Sequence, residues 1–313
     1  MLYLLKNNIV PALLLIGLAV LLMPGTSFSQ GNGDAGLQSS NNLDLGALGD
    51  DHPTTMLFLE NAGLGPDKTI CLSTEYRLDW NVWGGINIWF ALPYNYNIGN
   101  LAFTHGLGDL RVMASVAVVE REEFTLLLDI GGVLPSGKSD LETDDGKPLP
   151  MVYQPSQGNA SFIAGIAAFY HLWSVSAGYQ NHLSANKNNF TQSAWNDPEK
   201  VVDYPDSPGL WCGDDISLRL QKDFLAMKAH YFVSAVSLYR LTKDRILVDG
   251  ELDPVDGTDG FSMNLAAGIE VKMMKTGVFR LQAAMPVFRR VSYPDGLNRD
   301  FTVTAGFGLR FPE

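Results

Sequence analysis

The most constraining stretch of the chain is residues 301–311, where every second side chain is apolar. Phe301, Val303, Ala305, Phe307, Leu309 and Phe311 alternate with Thr302, Thr304, Gly306, Gly308 and Arg310. Successive side chains on a strand point to opposite faces, so this run has one wholly apolar face and one small or polar face. Its length of about 11 residues, tilted, crosses a bilayer. The pattern alone also suits a soluble sandwich, whose apolar face meets a second sheet.

The same period recurs along the chain. Residues 107–119 set Leu110, Val112, Ala114, Val116 and Val118 against Asp109, Arg111 and Ser115. Residues 124–134 set Leu126, Leu128 and Ile130 against Thr125 and Asp129, and 214–221 set Ile216, Leu218 and Leu220 against Asp215, Ser217 and Arg219. Residues 261–272 carry Ser262, Asn264, Glu270 and Lys272 on the polar side, and 278–287 carry Arg280 and Gln282. Further strands are predicted at 54–59, 69–78, 83–92, 161–170, 172–183 and 224–240, the last with Lys228, His230 and Ser234 on one side. The total is about twelve, with no convincing helix.

The connections decide between barrel and sandwich. Short links are expected near Trp80-Asn81, Arg121-Glu122, His171, Lys222-Asp223 and Lys275-Thr276. Long links are expected at 61–67, 94–106, 135–159, 184–213, 241–260 and 288–299. Short and long alternate throughout, as in outer-membrane barrels with periplasmic turns on one rim and extracellular loops on the other. Greek-key crossings in sandwiches scramble loop lengths. Trp80, Trp83, Trp89, Tyr94, Tyr170, Trp173, Tyr231, Tyr239 and Phe288 fall near predicted strand ends, where aromatic girdles belong. The fold expected is an all-β, antiparallel, up-and-down transmembrane barrel.

Residues 1–29 read as a signal peptide: Lys6, an apolar run at 9–23, Pro24-Gly25, then Ser27-Phe28-Ser29 before a cleavage ahead of Gln30. Residues 30–53, rich in Gly, Asn, Asp and Ser, read as a flexible periplasmic tail, and 54–313 as the barrel. Beyond Met23 no apolar stretch approaches the ~20 residues of a spanning helix, so a membrane home must be a closed barrel. The formal net charge of −12 argues against nucleic acid as a partner. Cys71 and Cys212 cannot build a disulfide framework, and two free thiols are expected rather than one bridge.

Gly106-Leu-Gly-Asp109, Leu134-Pro-Ser-Gly-Lys138, Gln154-Pro-Ser-Gln-Gly158, Trp173 and Pro286-Val-Phe288 with the closing run 301–311 carry a family resemblance. Over most of residues 80–311 the chain resembles the transporter-like outer-membrane barrels named for the meta-pathway of phenol degradation. The resemblance implies passage of small hydrophobic or aromatic compounds and supplies no catalytic residues. Pro312-Glu313 follow Phe311, a departure from the terminal aromatic that the outer-membrane assembly machinery reads.

The residues expected to contact solute in the lumen are Asp109, Arg111, Asp129, Arg219, Lys228, His230, Glu270, Lys272, Arg280 and Arg310. No catalytic residue, metal site or cofactor is assigned. His105 has no Ser in a partner motif and reads as an ordinary loop histidine. The acidic loop from Asp249 places Pro254 where an EF-hand requires Gly, so it reads as solvated rather than as a calcium site. With Asp140, Glu142, Asp144 and Asp145, and Asp197, Glu199, Asp203 and Asp206, it forms an acidic outer mouth that favours cations or neutral solutes. The expected function is a narrow channel or transporter for small solutes in the outer membrane, with its lipids and assembly machinery as partners. The alternatives are a structural or adhesive surface protein without an open pore and, behind it, a lipid-modifying enzyme.

Overall fold

A computed structural model describes residues 29–30, 54–83, 86–226, 229–273 and 277–311. The signal-peptide and tail assignments, apart from Ser29–Gln30, lie outside the described residues. Ser29–Gln30 pair antiparallel with Asn298–Arg299.

The barrel begins with β1 (Thr54–Leu64), β2 (Ile70–Trp83) and β3 (Ile86–Ile98). Next come β4 (Phe103–Leu107) and β5 (Leu110–Arg121), which pair with successive lengths of β3 and act as one strand interrupted at Gly108-Asp109. The wall continues through β6 (Phe124–Leu134), β7 (Ser161–Tyr170), β8 (Trp173–His182), β9 (Asp215–Ala226) and β10 (Ala229–Arg240). A small hairpin, β11 (Arg245–Val248) and β12 (Glu251–Pro254), stands in the following loop. The wall then resumes with β13 (Gly260–Lys272), β14 (Gly277–Phe288) and β15 (Thr302–Phe311).

Every strand pairs antiparallel with its neighbour, and β15 returns to β1 from Thr302↔Gly63 to Phe311↔Thr54. The result is a closed barrel of twelve antiparallel staves. Closure leaves no unpaired edge, the condition for a sheet to sit in lipid. Among the described residues, helix is confined to 3-10 turns of three residues.

Burial runs opposite to that of a soluble protein. Ile130, Leu218 and Val233 are 56%, 50% and 49% exposed, whereas their neighbours Asp129, Arg219 and Ser234 are 4%, 3% and 5% exposed. The apolar alternation therefore points outward and the polar one into the lumen. A soluble β-sandwich would reverse this, because its apolar face would be the buried one.

Several expectations are corrected. The strands run on to Trp83 and Ala226, past the short turns expected at Trp80-Asn81 and Lys222-Asp223, because Asn81 and Asp223 are inward strand residues whose polarity imitates a turn. Phe224 consequently belongs to β9, not to the strand after it. The links at 61–67 and 94–106 are tight, since β1 runs on to Leu64, β3 to Ile98, and β4 returns from Phe103. His105 lies on β4 rather than in a loop, and its Nδ1 is 2.7 Å from Tyr94 Oη. Trp89 is buried in the lumen (2% exposed) and is not a girdle residue, whereas Trp80, Tyr170, Trp173, Tyr239 and Phe288 are exposed on the outer face.

Candidate functional site

The lumen toward the short-turn rim is filled. Arg77 grips Asp79 through Nε at 2.9 Å and Nη2 at 2.6 Å, and its guanidinium lies 4.1 Å over the Trp89 ring. Ser115 donates to Asp129 across β5 and β6. Arg219 donates to Gln221, Gln221 Nε2 donates to Asp223 at 2.7 Å, and His230 Nε2 lies 2.9 Å from the same carboxylate. Phe232 is buried beneath the Arg280 guanidinium, 4.6 Å away. It fits only because residue 268 is glycine: a Cβ there would stand 2.3 Å from the Phe232 ring. Trp89, Ala91, Met113, Val133 and Ile163 form an apolar stripe down one wall.

Above this packing lies a cavity of about 180 Å³. Its wall residues include Asn61, Ser73, Pro93, Asn95, Val133, Gln180 and His182, and Glu75 with Arg111 are the deepest along their strands. Arg111 and Glu75 form a buried ion pair. Both cysteines are free, and both line this cavity. Burial pushes the Cys212 thiol well up, so it stays protonated and weakly nucleophilic.

The cavity's roof comes from the long loops. Residues 135–160 and 183–214 share a core of Leu149, Val152, Tyr153, Phe190, Trp195, Val201 and Tyr204. Thr69 donates to the Tyr153 hydroxyl at 3.2 Å, and the Leu101 amide donates to it at 3.2 Å, tying the core to two rim turns. Gln154 bonds the Leu141 backbone in both directions and the Leu149 carbonyl at 2.8 Å. Hydrogen bonds replace periodic pairing here, as buried irregular backbone requires.

Beside the roof, Arg240 at the end of β10 is a hub. It donates twice to Asp215, at 2.9 Å each, to both Asp244 oxygens at 2.7 and 2.8 Å, and to Asp295 at 3.2 Å. Arg290 adds a contact to Asp295 at 3.3 Å and donates to the Thr258 carbonyl at 2.8 Å. Three carboxylates thus share two guanidiniums. Burial pushes the Asp244 carboxyl up to about 6, against the pull of Arg240. Burial also works to raise Asp295, but Arg290 and Arg240 outweigh it and hold that carboxyl below the ordinary range.

The residues predicted for the lumen divide accordingly. Asp109 and Arg111 line the cavity. Asp129, Arg219, His230, Glu270 and Arg280 face inward on strand stretches that do not line it. Lys272 is exposed at the end of β13, Lys228 lies outside the described residues, and the Arg310 side chain is likewise not described. Sequence reasoning missed Glu75, Arg240, Asp244, Arg290 and Asp295. For the first two the signal was present: Glu75 shares parity with Arg77, and Arg240 with His230 and Ser234.

A solved outer membrane channel from Pseudomonas putida F1 matches this architecture with a TM-score of 0.58 over 83% of this chain and 96% of that one, at 14% identity. What the two share is the fold. The KdgM porin (TM-score 0.44, 8% identity, 82% of this chain and 99% of that one) is also similar. So is outer membrane phospholipase A from Escherichia coli (TM-score 0.43, 12% identity, 83% and 94%). No family model and no curated protein matches the sequence. Among the described residues no three His, Cys, Asp or Glu side chains come together as metal ligands.

Proposed function

We propose that this protein is exported by its first 29 residues, sits in the outer membrane with its long loops outward, and conducts small solutes through a narrow lumen. The observation that carries the reading is the cavity of about 180 Å³ inside a closed barrel, beneath a roof of loops. It is smaller than the usual ligand pocket of about 300–1,000 Å³, which favours a monomeric solute over chains of sugars. Its wall mixes amide and charged groups with Pro93, Val133 and Met151, a surface that accepts an apolar or aromatic body. That agrees with the hydrophobic and aromatic compounds implied by the family resemblance.

The filled lower lumen favours a second reading, a structural or adhesive surface protein that conducts nothing. Refolding into liposomes separates the two. A channel gives small, discrete conductance steps in planar bilayers and admits toluene-sized solutes while excluding trisaccharides. A silent bilayer and impermeant liposomes would leave the adhesive reading standing.

A further inference from the structure

One outward position on β9 breaks the rule that its strand otherwise follows. Ile216, Leu218, Leu220 and Phe224 point outward and are exposed, and Lys222 stands among them with the same parity. Its register partners on the neighbouring staves are Trp173 on β8 and Val233 on β10, both exposed on the outer face. The Lys222 ammonium lies 4.8 Å from the centre of the Trp173 ring. The wall is stepped at this point. Pairing between β8 and β9 ends at Lys222↔Trp173, whereas β9 runs on to Ala226 beside β10. The Asp223 amide closes the step by donating to the Leu172 carbonyl at 2.9 Å. Tyr170, paired with Trp173, and Phe224 are exposed on either side of it.

The protein does not cancel the Lys222 charge. Among the described residues no carboxylate pairs with it. Asp223 faces the lumen, 2.9 Å from His230, and Glu123 in the turn between β5 and β6 lies 3.4 Å from His171. The Trp173 ring orients the ammonium through its quadrupole but brings no countercharge. A cation on the outer face of a barrel is costly at mid-membrane and tolerated near either interface, toward which lysine stems bend. Exposed Tyr170 and Trp173 mark that interface as girdle aromatics do. The anion that lipid itself presents there is the headgroup phosphate. A zwitterionic headgroup carries its own cation to that phosphate, whereas an anionic one leaves the charge for Lys222.

We propose that Lys222 and Trp173 form a site for the phosphate of an anionic phospholipid in the leaflet at the short-turn rim. The ammonium donates to the phosphate oxygens, a charge-assisted bond of the strong kind. The headgroup settles in the step beside Tyr170, and the acyl chains lie along Leu220, Val175 and Val233. The site is on the outer wall and does not depend on whether the lumen conducts.

Native mass spectrometry of the delipidated, detergent-solubilised protein tests it, using phosphatidylglycerol, phosphatidylcholine and diacylglycerol with identical chains. The first phosphatidylglycerol is expected to bind at least fivefold more tightly than either of the others. Lys222→Met, which suits a lipid-facing position, should bring phosphatidylglycerol down to the phosphatidylcholine level. Lys222→Gln serves as the test if that variant fails to fold. Lys222→Arg should keep the preference, since a guanidinium also binds phosphate. Lys272→Met removes an exposed cation at the end of β13 and should leave the preference unaltered. No preference for phosphatidylglycerol in the native protein, or an undiminished one in a folded Lys222→Met or Lys222→Gln variant, would overturn the proposal. So would an equal loss in Lys272→Met, which would make the preference a property of the rim charge as a whole. Because the readout needs no conduction, lipid binding in a protein without flux would sink the channel reading and leave this site intact.

Discussion

At the scale of single residues, the arginine hub has a pH signature. Asp244 has a folded value of about 6, above the ordinary carboxylate value. The closed arrangement therefore holds that proton more tightly than the opened one. Its contribution is complete below about pH 4 and is lost as pH rises through about 6. Asp295, held low, contributes in the opposite sense and weakens the loops only in stronger acid. The Gly213 amide donates to Asp244 at 2.8 Å and reports on the hub. Its hydrogen-exchange protection, corrected for intrinsic rate, should fall between pH 4 and 7 in the native protein and stay flat there in Asp244→Asn. A second prediction concerns Phe232. Its removal should cost about 3 kcal/mol, as for large aromatic truncations, and widen the lumen. Phe232→Ala should thus lower the temperature of heat-modified gel migration while raising single-channel conductance. At this scale the sequence was legible where parity applied. Arg111, Asp129 and Arg219 face inward because their strands alternate strictly. Asp244 and Asp295 come from loops without a period, and only folding brings them to Arg240.

At the scale of elements, strands were easier to read than the turns joining them. Lipid and lumen impose opposite polarities on alternate residues, so the period survives along each stave. A turn is marked only by a local run of polar residues, and inward residues such as Asn81 and Asp223 supply the same mark. The loop roof was not legible, because contact between Tyr153 and Tyr204 joins segments about fifty residues apart with no repeating pattern. Its cohesion is nevertheless testable. Tyr153 is fully buried at the centre of the loop core, and truncating it should cost about 3–5 kcal/mol, taken from the roof rather than the wall. Cys71 and Cys212 lie beneath that roof and are the chain's two cysteines, so no engineered probe is required. A membrane-impermeant thiol reagent added from the loop side should label them slowly in the native protein and at least tenfold faster in Tyr153→Ala. Equal rates would mean that the loops do not seal the cavity.

At the scale of the whole molecule, the decisive quantity is the field at the loop rim. Asp140, Glu142, Asp144 and Asp145 are exposed on one loop, Asp197, Glu199 and Asp203 on the next, and Asp249, Glu251, Asp253, Asp256 and Asp259 on the third. Lys243 bonds Asp256 at 2.6 Å and Lys200 pairs with Asp197 at 3.1 Å, but these cancel only part of the acidic surface. A mouth of one sign concentrates counter-ions and sets which solutes enter, with a reach equal to the Debye length, about 10 Å at 0.1 M salt and about 3 Å at 1 M. Two consequences separate this mouth from selectivity set deeper in the lumen. Under a potassium chloride gradient near 0.1 M the reversal potential should show cation preference, and that preference should shrink toward zero near 1 M. Replacing Asp140, Glu142, Asp144 and Asp145 by their amides should reduce the preference at low salt and leave the high-salt value unchanged. These side chains are exposed and outside the loop core, so such replacements should not disturb folding. If the selectivity persists at 1 M, its source is the lumen, where Glu75 and Asp109 are screened less than surface charges. Anion selectivity at low salt would instead place control with Arg299 and Arg111 and refute the acidic mouth.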